Sequence, residues 1–285
     1  MRLAVLSGKG GTGKTLLSVN LAALLEGAQY LDCDVEAPNG RLFFRPEVTD
    51  TKKVYVKMPM VNHEKCDGCR LCVDFCNFNA MAFIGNRVKV FEDICHSCGG
   101  CQLICPQNAI EEVDKPIGVI EKGLSEKTHV ATGIMNIGQA SGVPIVDGLI
   151  DIGNSHQGHV IVDCPPGSAC IVMESIKDAD HCVIVAEPTI FGVHNMKMVY
   201  ELVVKMGKSV SVIINKSYGD DQQIIDFCTA NAIPIHGVIA FDEKLGALGS
   251  EGRIAVREEV HYNKMFSKIL EHLLKEVAHE TASCS

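Results

Sequence analysis

The sequence lacks a hydrophobic run long enough to cross a membrane, since no run approaches the roughly 18 apolar residues of a spanning helix. Its first apolar stretch, Leu3 to Leu6, is too short for the core of a secretory signal. It also lacks an excess of positive charge, because 26 lysine and arginine residues are outnumbered by 35 aspartate and glutamate residues, for a net charge of −9. Such a surface repels phosphate backbones and anionic lipids. We therefore expect a cytoplasmic protein with no nucleic-acid partner and no membrane association.

The composition also excludes wholesale disorder. Apolar residues make up 47% of the 285 positions and charged residues 21%, which is typical of a globular chain with a hydrophobic core. This length indicates one large domain, or one domain with a smaller companion. Fourteen residues are cysteine. In a reducing compartment, cysteines favour thiolate ligation of metals over disulfides.

Eight of the cysteines form two copies of the spacing C-x2-C-x2-C-x3-C. The second copy follows the first at an offset of 29 residues, and the pairs Ala80-Met81 and Ala109-Ile110 keep the same offset, which indicates a duplicated half-domain. A segment of about 50 residues can barely bury a core of its own, so we expect bound metal to contribute to its stability. The two quartets are Cys66, Cys69, Cys72 and Cys76, and Cys95, Cys98, Cys101 and Cys105.

The two quartets resemble those of the bacterial two-cluster ferredoxins, in which the fourth cysteine of each repeat ligates the other cluster. The run Cys105-Pro106 fits the ferredoxin pattern, whereas Cys76 is followed by Asn77 where proline is usual. Zinc is the alternative, but four-cysteine zinc sites use separated C-x2-C pairs rather than this spacing. The resemblance implies two 4Fe-4S clusters with crossed ligand sets, which are Cys66, Cys69, Cys72 and Cys105 for cluster 1, and Cys95, Cys98, Cys101 and Cys76 for cluster 2.

The other six cysteines show no pairing pattern. Most of them lie in apolar runs typical of strands, and we expect buried, unreactive thiols. They are Cys33, Cys164, Cys170, Cys182, Cys228 and Cys284.

A phosphate-binding motif, G-x-x-x-x-G-K-[ST], follows the first apolar run. It has the required context, a strand before it and an apolar-periodic helix after it, through about Glu26. The glycines let backbone N–H groups converge on phosphate oxygens at the positive end of that helix. Lys14 is expected to neutralise the β and γ phosphates of a nucleotide, and Thr15 to ligate Mg²⁺. The motif residues are Gly8, Lys9, Gly10, Gly11, Thr12, Gly13, Lys14 and Thr15.

The extra lysine of this motif, in the sequence KGGTGKT, makes it similar to the deviant Walker A motif of the MinD/ParA/Mrp superfamily, to which the nitrogenase iron protein is related. Membership implies a homodimer that forms on ATP. By resemblance, Lys9 reaches the nucleotide of the partner subunit. A solvated loop lysine is the alternative, and the sequence alone leaves it open.

Polar residues follow apolar runs where this family has its switch regions. Asp34 is expected to orient the attacking water. Asp163 resembles the Walker B acid, which acts on Mg²⁺, and Gly167 is expected to present its N–H to the γ-phosphate. Asn215 matches the strand-terminal asparagine that recognises adenine in this family. A helix cap for Asp163 and a turn for Asn215 are the alternatives. The candidate catalytic residues are thus Lys9, Lys14, Asp34 and Asp163.

The order of apolar runs predicts the fold. Runs at Leu3 to Leu6, Val160 to Val162, Val183 to Ala186 and Val210 to Ile214 are typical of buried strands, and helical stretches separate many of them. This alternation predicts an α/β P-loop NTPase with a mostly parallel sheet and helices on both faces. The cysteine repeat interrupts it. We predict a MinD-like ATPase domain of residues 1–60 and 114–285, and an inserted ferredoxin-like α+β module of residues 61–113.

The resemblance implies an ATP-hydrolysing dimer that couples nucleotide turnover to electron transfer through two 4Fe-4S clusters. Its cofactors are then ATP or ADP, Mg²⁺ and the clusters, and its partner is a redox or metalloprotein client. One alternative is an iron–sulfur carrier like Mrp, although eight ligands for two clusters leave no open position. The other is a MinD-like positioning ATPase whose clusters are structural. The apolar stripe from Phe266 to Val277 is expected to pack against the sheet rather than a membrane.

Overall fold

The computed structural model of the protein describes residues 1–283, and the side chains of residues 1–278. Cys284 lies outside the described residues. The strands are β1 (Arg2–Leu6), β2 (Gln29–Asp32), β3 (Glu47–Val61), β4 (Met81–Ile84), β5 (Arg87–Val90), β6 (Ile110–Ser125), β7 (Thr128–Met135), β8 (Val160–Asp163), β9 (His181–Ala186), β10 (Val210–Ser217) and β11 (Ile235–Ala240). The helices are α1 (Lys14–Leu24), α2 (Gly40–Phe44), α3 (Leu71–Phe75), α4 (Gly100–Ile104), α5 (Val143–Ser155), α6 (Cys170–Ile176), α7 (Ile190–Lys205), α8 (Gln222–Ala230), α9 (Glu243–Ser250), α10 (Ala255–Glu258) and α11 (Val260–Ser283), with a 3-10 turn at Glu92–Ile94.

Within the described residues, nine strands form one sheet in the order β11-β10-β9-β1-β8-β2-β7-β6-β3. The strands from β11 to β7 are parallel, and β6 and β3 are antiparallel to their neighbours. Central strands β2 and β8 are wholly buried, as expected where helices cover both faces. One core joins the sheet to α5, α6, α7 and α8, and the other joins it to α1, α9, α10 and α11. The predicted α/β fold with a mostly parallel sheet is confirmed.

The predicted apolar runs correspond to β1, β8, β9 and β10, and β10 continues through Asn215. Helix α1 ends at Leu24, earlier than predicted, because the backbone of Leu25 is already extended. The C-terminal stripe packs in the sheet's second core, where Phe266, Leu270 and Leu273 are buried. No helix in the described part of the chain is long and apolar enough to span a bilayer.

An antiparallel arm of two strands leaves one edge of the sheet. β3 pairs with β6 from Glu47↔Leu124 to Val61↔Ile110, whereas β7 pairs only with the part of β6 from Gly118 onward. The remaining portions, residues 55–61 of β3 and residues 110–117 of β6, therefore extend past the sheet by roughly 25 Å. The cysteine-rich segment, residues 62–109, connects the far ends of the two strands.

The two copies of the cysteine repeat adopt corresponding structures. Each has a one-turn helix, α3 or α4, and each helix is preceded by a left-handed residue, Arg70 (φ 64°) or Gly99 (φ 72°). The segment also contains the hairpin β4-β5. Its buried apolar cluster is small and consists of Cys72, Met81 and Val88, which pack with Ile110, the first residue of β6.

Candidate functional site

The phosphate-binding motif forms the loop between β1 and α1, at the carboxyl edge of the sheet. Gly13 has a φ of 93° and immediately precedes α1. A Cβ at Gly13 would lie 2.1 Å from Asn215 Nδ2, so the close approach of β10 also requires glycine there. Asn215 Nδ2 donates to the Thr12 carbonyl at 2.7 Å. The predicted adenine-binding residue is thus placed against the phosphate loop.

Lys14 lies at the centre of a buried polar cluster. Its Nζ donates to Asp163 Oδ1 at 2.8 Å and lies 3.8 Å from Asp34 Oδ2. The Tyr30 hydroxyl donates to Asp163 Oδ2 at 2.8 Å, and Ser18 Oγ lies 3.1 Å from Asp163 Oδ1. Burial alone would lower the pKa of Lys14, but Asp163 and Asp34 raise it above its usual value. Lys14 is therefore held as a cation that faces two predicted catalytic carboxylates.

The carboxylates around Lys14 carry more negative charge than one lysine can balance. Burial raises the pKa of Asp34, and Lys14 offsets this only in part. Burial and the nearby Asp163 raise the pKa of Asp32. Among the described residues, the buried Asp32 Oδ1 and Thr132 Oγ1 have no hydrogen-bond partner. Since Asp163 and Thr132 flank Asp32 in register, these oxygens suit a hydrated divalent cation.

The other predicted loop residues lie in the same region. Gly167 has a φ of 96°, and its N–H donates to the Ser7 carbonyl at 2.9 Å. Asp163 is not a helix cap, because Ala169 precedes α6. A cavity of about 1130 Å³ opens beside these groups. Its lining includes Gly10, Gly11, Gly13, Lys14, Thr15, Asp34, Thr132 and Pro166.

Lys9 is held by a glutamate that sequence reasoning missed. Its Nζ lies 2.8 Å from Glu187 Oε2, and Lys216 Nζ donates to Glu187 Oε1 at 2.7 Å. Burial would raise the pKa of Glu187, but hydrogen bonds from Lys216 and Lys9 lower it. Glu187 follows the last residue of β9, and strand-terminal position was the only sequence signal that could have revealed it.

The eight cysteines of the repeat line two separate cavities. Both sets have the crossed membership that the ferredoxin resemblance implies, each borrowing one cysteine from the other repeat. The fourth members accept matching backbone hydrogen bonds, Ala80 N–H to Cys76 Sγ and Ala109 N–H to Cys105 Sγ, both at 3.3 Å. The first cavity is lined by Cys66, Cys69, Cys72 and Cys105, and the second by Cys76, Cys95, Cys98 and Cys101.

A cleft of about 440 Å³ separates the second cysteine set from the phosphate-loop domain. Its lining includes Cys95 and His96 from the cysteine repeat, and Ser141 and Cys170 from later in the chain. Cys170 is exposed, so the expectation of a buried thiol was wrong at this position. It is the first residue of α6, whose start is not covered by neighbouring elements. Buried thiols are observed at Cys33, Cys164, Cys182 and Cys228.

The parallel sheet and its phosphate loop define a P-loop nucleotide-binding protein of the α/β class. Residues 3–256 match the family model described as the CobQ/CobB/MinD/ParA nucleotide binding domain, and the chain belongs to this family. An uncharacterised protein of Methanocaldococcus jannaschii, MJ0579, is 30% identical over 224 residues, which cover 77% of this chain and 81% of that protein.

Two further proteins are similar to this chain, one in its fold and the other over part of its sequence. The cell division ATPase MinD of Pyrococcus furiosus has a similar structure, with a TM-score of 0.60, 17% identity and coverage of 96% of this chain and 98% of MinD. The pyruvate synthase subunit PorD of Thermotoga maritima is 34% identical over 80 residues, which cover 27% of this chain and 81% of PorD. The first similarity supports the fold alone.

Proposed function

We propose that the protein is an ATP-hydrolysing iron–sulfur protein. It dimerises on ATP and couples turnover to electron transfer through two 4Fe-4S clusters, for the reduction or maturation of another metalloprotein. The observation that carries the proposal is the presence, in one chain, of a buried Lys14–Asp163 phosphate site and two crossed sets of four cysteines.

The phosphate site supports ATP hydrolysis by its charges and its donors. Backbone N–H groups of the loop bind the phosphate oxygens, and Lys14 neutralises the β and γ phosphates. Thr15 and Asp163 would hold Mg²⁺, which would withdraw negative charge from the phosphates of the nucleotide. Asp34 lies across Lys14 from Asp163. Its carboxylate accepts a hydrogen bond from water and orients the water toward the γ-phosphorus.

Replacing Asp34 by alanine is expected to preserve ATP binding and to slow hydrolysis by about a hundredfold or more, because the water loses its orienting acceptor. The wild-type rate should also fall as the pH drops through the raised pKa of Asp34, since protonation removes the negative charge that makes the carboxylate a strong acceptor for the water. Phosphate release and ATP affinity, measured across pH, test both expectations. Asp151→Ala, at an exposed position of α5, is the matched control. Full activity of Asp34→Ala would remove this residue from the mechanism.

The cysteine cavities support iron–sulfur clusters over single zinc ions. Four thiols spread around a cavity suit a 4Fe-4S cluster, in which each sulfur binds a different iron. The N–H···S bonds at Cys76 and Cys105 match a common feature of thiolate ligands.

The cleft between the two parts of the chain supports coupling between them. Cys170 begins α6 three residues after Gly167, whose loop is expected to sense the γ-phosphate. Cys170 lines the same cleft as Cys95 of the second cysteine set and its neighbour His96. A movement of the Gly167 backbone can therefore reach Cys170, and with it the lining of the cleft, through only three residues of chain.

Cys170 offers a direct measurement of this coupling. In anaerobic protein with its clusters assembled, alkylation of Cys170 is expected to slow severalfold when ADP is replaced by a non-hydrolysable ATP analogue. The reason is that ordering of the Gly167 loop would draw the start of α6 toward the Cys95 loop. Mass spectrometry after timed iodoacetamide treatment measures the rate, and Cys170→Ser identifies the labelled peptide. Equal rates in the two nucleotide states would contradict the coupling.

A further inference from the structure

Glu187 is a nearly buried carboxylate that binds two lysines at once. Its side chain is 9% exposed, while those of Lys9 and Lys216 are 38% and 44% exposed. Each lysine uses a different oxygen, Oε2 for Lys9 and Oε1 for Lys216. The lysine of the phosphate loop is therefore held within its own subunit.

The second lysine makes the contact with Lys9 reversible. A buried carboxylate that loses its only cation is strongly destabilised. When Lys9 leaves, Glu187 still has the Lys216 ammonium on its other oxygen, so no buried charge is left unpaired. Release of Lys9 then costs about as much as breaking a partly exposed ion pair, which is a small free energy.

The same pair is tied to the phosphate loop. Lys216 Nζ donates to the Gly11 carbonyl at 2.6 Å as well as to Glu187. Glu187 itself is fixed by close packing, because a Cβ at Gly192 of α7 would lie 2.3 Å from its carbonyl oxygen. Of the two lysines, Lys9 is therefore the one that can break its contact with Glu187, because Lys216 is also hydrogen-bonded to the Gly11 carbonyl of the phosphate loop.

The surface beside this group is apolar. Ile190 and Phe191, at the start of α7, are each 76% exposed. They follow Glu187 closely in the chain and lie at the same edge of the sheet as the phosphate loop. Two exposed apolar side chains next to the held lysine suit contact with another protein surface.

We propose that Glu187 is a positioning residue that holds Lys9 in its own subunit and releases it, with Lys216 as the remaining partner, when two copies of the chain meet across ATP. This inference rests on the proposed ATP-dependent dimer. Glu187 and Lys216 are expected to have opposite effects on the stability of that dimer. Glu187 restrains Lys9, and Lys216 makes its release possible.

The test compares dimer dissociation constants by analytical ultracentrifugation, with the wild type and variants saturated with a non-hydrolysable ATP analogue. Glu187→Gln removes the charge but retains the shape, and is expected to tighten the dimer about three- to tenfold because Lys9 is freed. Lys216→Gln is expected to weaken it by at least about tenfold, because departure of Lys9 would then leave the buried Glu187 carboxylate without a cation. Asp147→Asn, which breaks an ion pair with Lys177 elsewhere, should leave the dimer unchanged.

The combination with Lys9→Ala distinguishes positioning from a merely structural role. Lys9→Ala should weaken the dimer, and adding Glu187→Gln to it should have no further effect, because no lysine remains to be freed. A dimer of Glu187→Gln that is unchanged or weaker than the wild type overturns the role of Glu187. If the wild type itself stays monomeric with the analogue, the proposed function fails first, and the inference fails with it.

Discussion

Replacing Lys14 by alanine is expected to abolish ATP binding, with affinity reduced by at least about a hundredfold, or about 2.7 kcal/mol. Lys14 is 6% exposed, and it is the cation nearest to both Asp163 and Asp34. Without it, a triphosphate would enter a pocket lined by carboxylates and would be repelled. Calorimetric titration with ATP and with ADP measures the loss. The exposed Lys205, on the same protein but at the end of α7, provides the control Lys205→Ala.

The same substitution is expected to destabilise the fold, because it leaves the Asp163 carboxylate buried without its cation. Breaking a buried pair in this way costs about 3–5 kcal/mol. Adding Asp163→Asn to Lys14→Ala should recover much of the thermal stability without recovering ATP binding. This double variant separates the two effects. Wild-type ATP affinity in a folded Lys14→Ala protein would show that the loop does not bind phosphate.

Removal of the metal is expected to unfold the cysteine-rich segment while the sheet stays intact. Anaerobic protein should contain about eight irons per chain if both cysteine sets hold 4Fe-4S clusters. The buried apolar cluster of residues 62–109 is small and is formed by Cys72, Met81 and Val88 with Ile110 of β6. A core of this size cannot stabilise some fifty residues, so metal binding must supply folding free energy. The cores on the two faces of the sheet are built from other residues and do not depend on the metal.

Hydrogen exchange before and after oxidative chelation measures this effect. Amides of residues 62–109 are expected to lose nearly all protection, whereas β1, β8 and β9 keep theirs and ATP affinity changes by no more than about twofold. Cys98→Ser should lose iron from one cluster, and Cys170→Ser, which changes a cysteine outside both sets, should keep about eight irons. Zinc at stoichiometric level with no iron, or unchanged protection after chelation, would contradict the cluster proposal.

Much of the fold was predictable because its signals are local. The apolar runs of β1 and β8 are buried on both faces, and the phosphate motif has its characteristic spacing between a strand and a helix. The contact of Lys14 with Asp163 agrees with the resemblance to P-loop ATPases. The strands are indicated by short stretches of sequence, and the phosphate-binding motif adopts the same loop structure wherever it lies between a strand and a helix.

The antiparallel arm was not predicted, because most side chains of β3 are exposed and show no alternation of apolar and polar residues. Its pairing with β6 joins residues that are far apart in the sequence, so no local pattern indicates it. The polar side chains around Asp163 were predicted only in part, for a similar reason. Tyr30 and Ser18 carry no motif, and only the fold brings them to the carboxylate. Glu187 was missed because its two lysines come from distant parts of the chain, Lys9 from the phosphate loop and Lys216 from β10.

The arm of β3 and β6 has one further consequence, for how this architecture tolerates insertions and deletions. Side chains on a strand alternate between the two faces of the sheet. Deleting one residue from one strand would therefore move every side chain beyond the deletion to the opposite face, out of register with the partner strand. Changes that keep both faces must come in matched pairs, and each pair moves the tip by about 7 Å. The lengths of β3 and β6 therefore set the distance between the cysteine-rich segment and the nucleotide pocket, and this distance can change only in steps of two residues per strand.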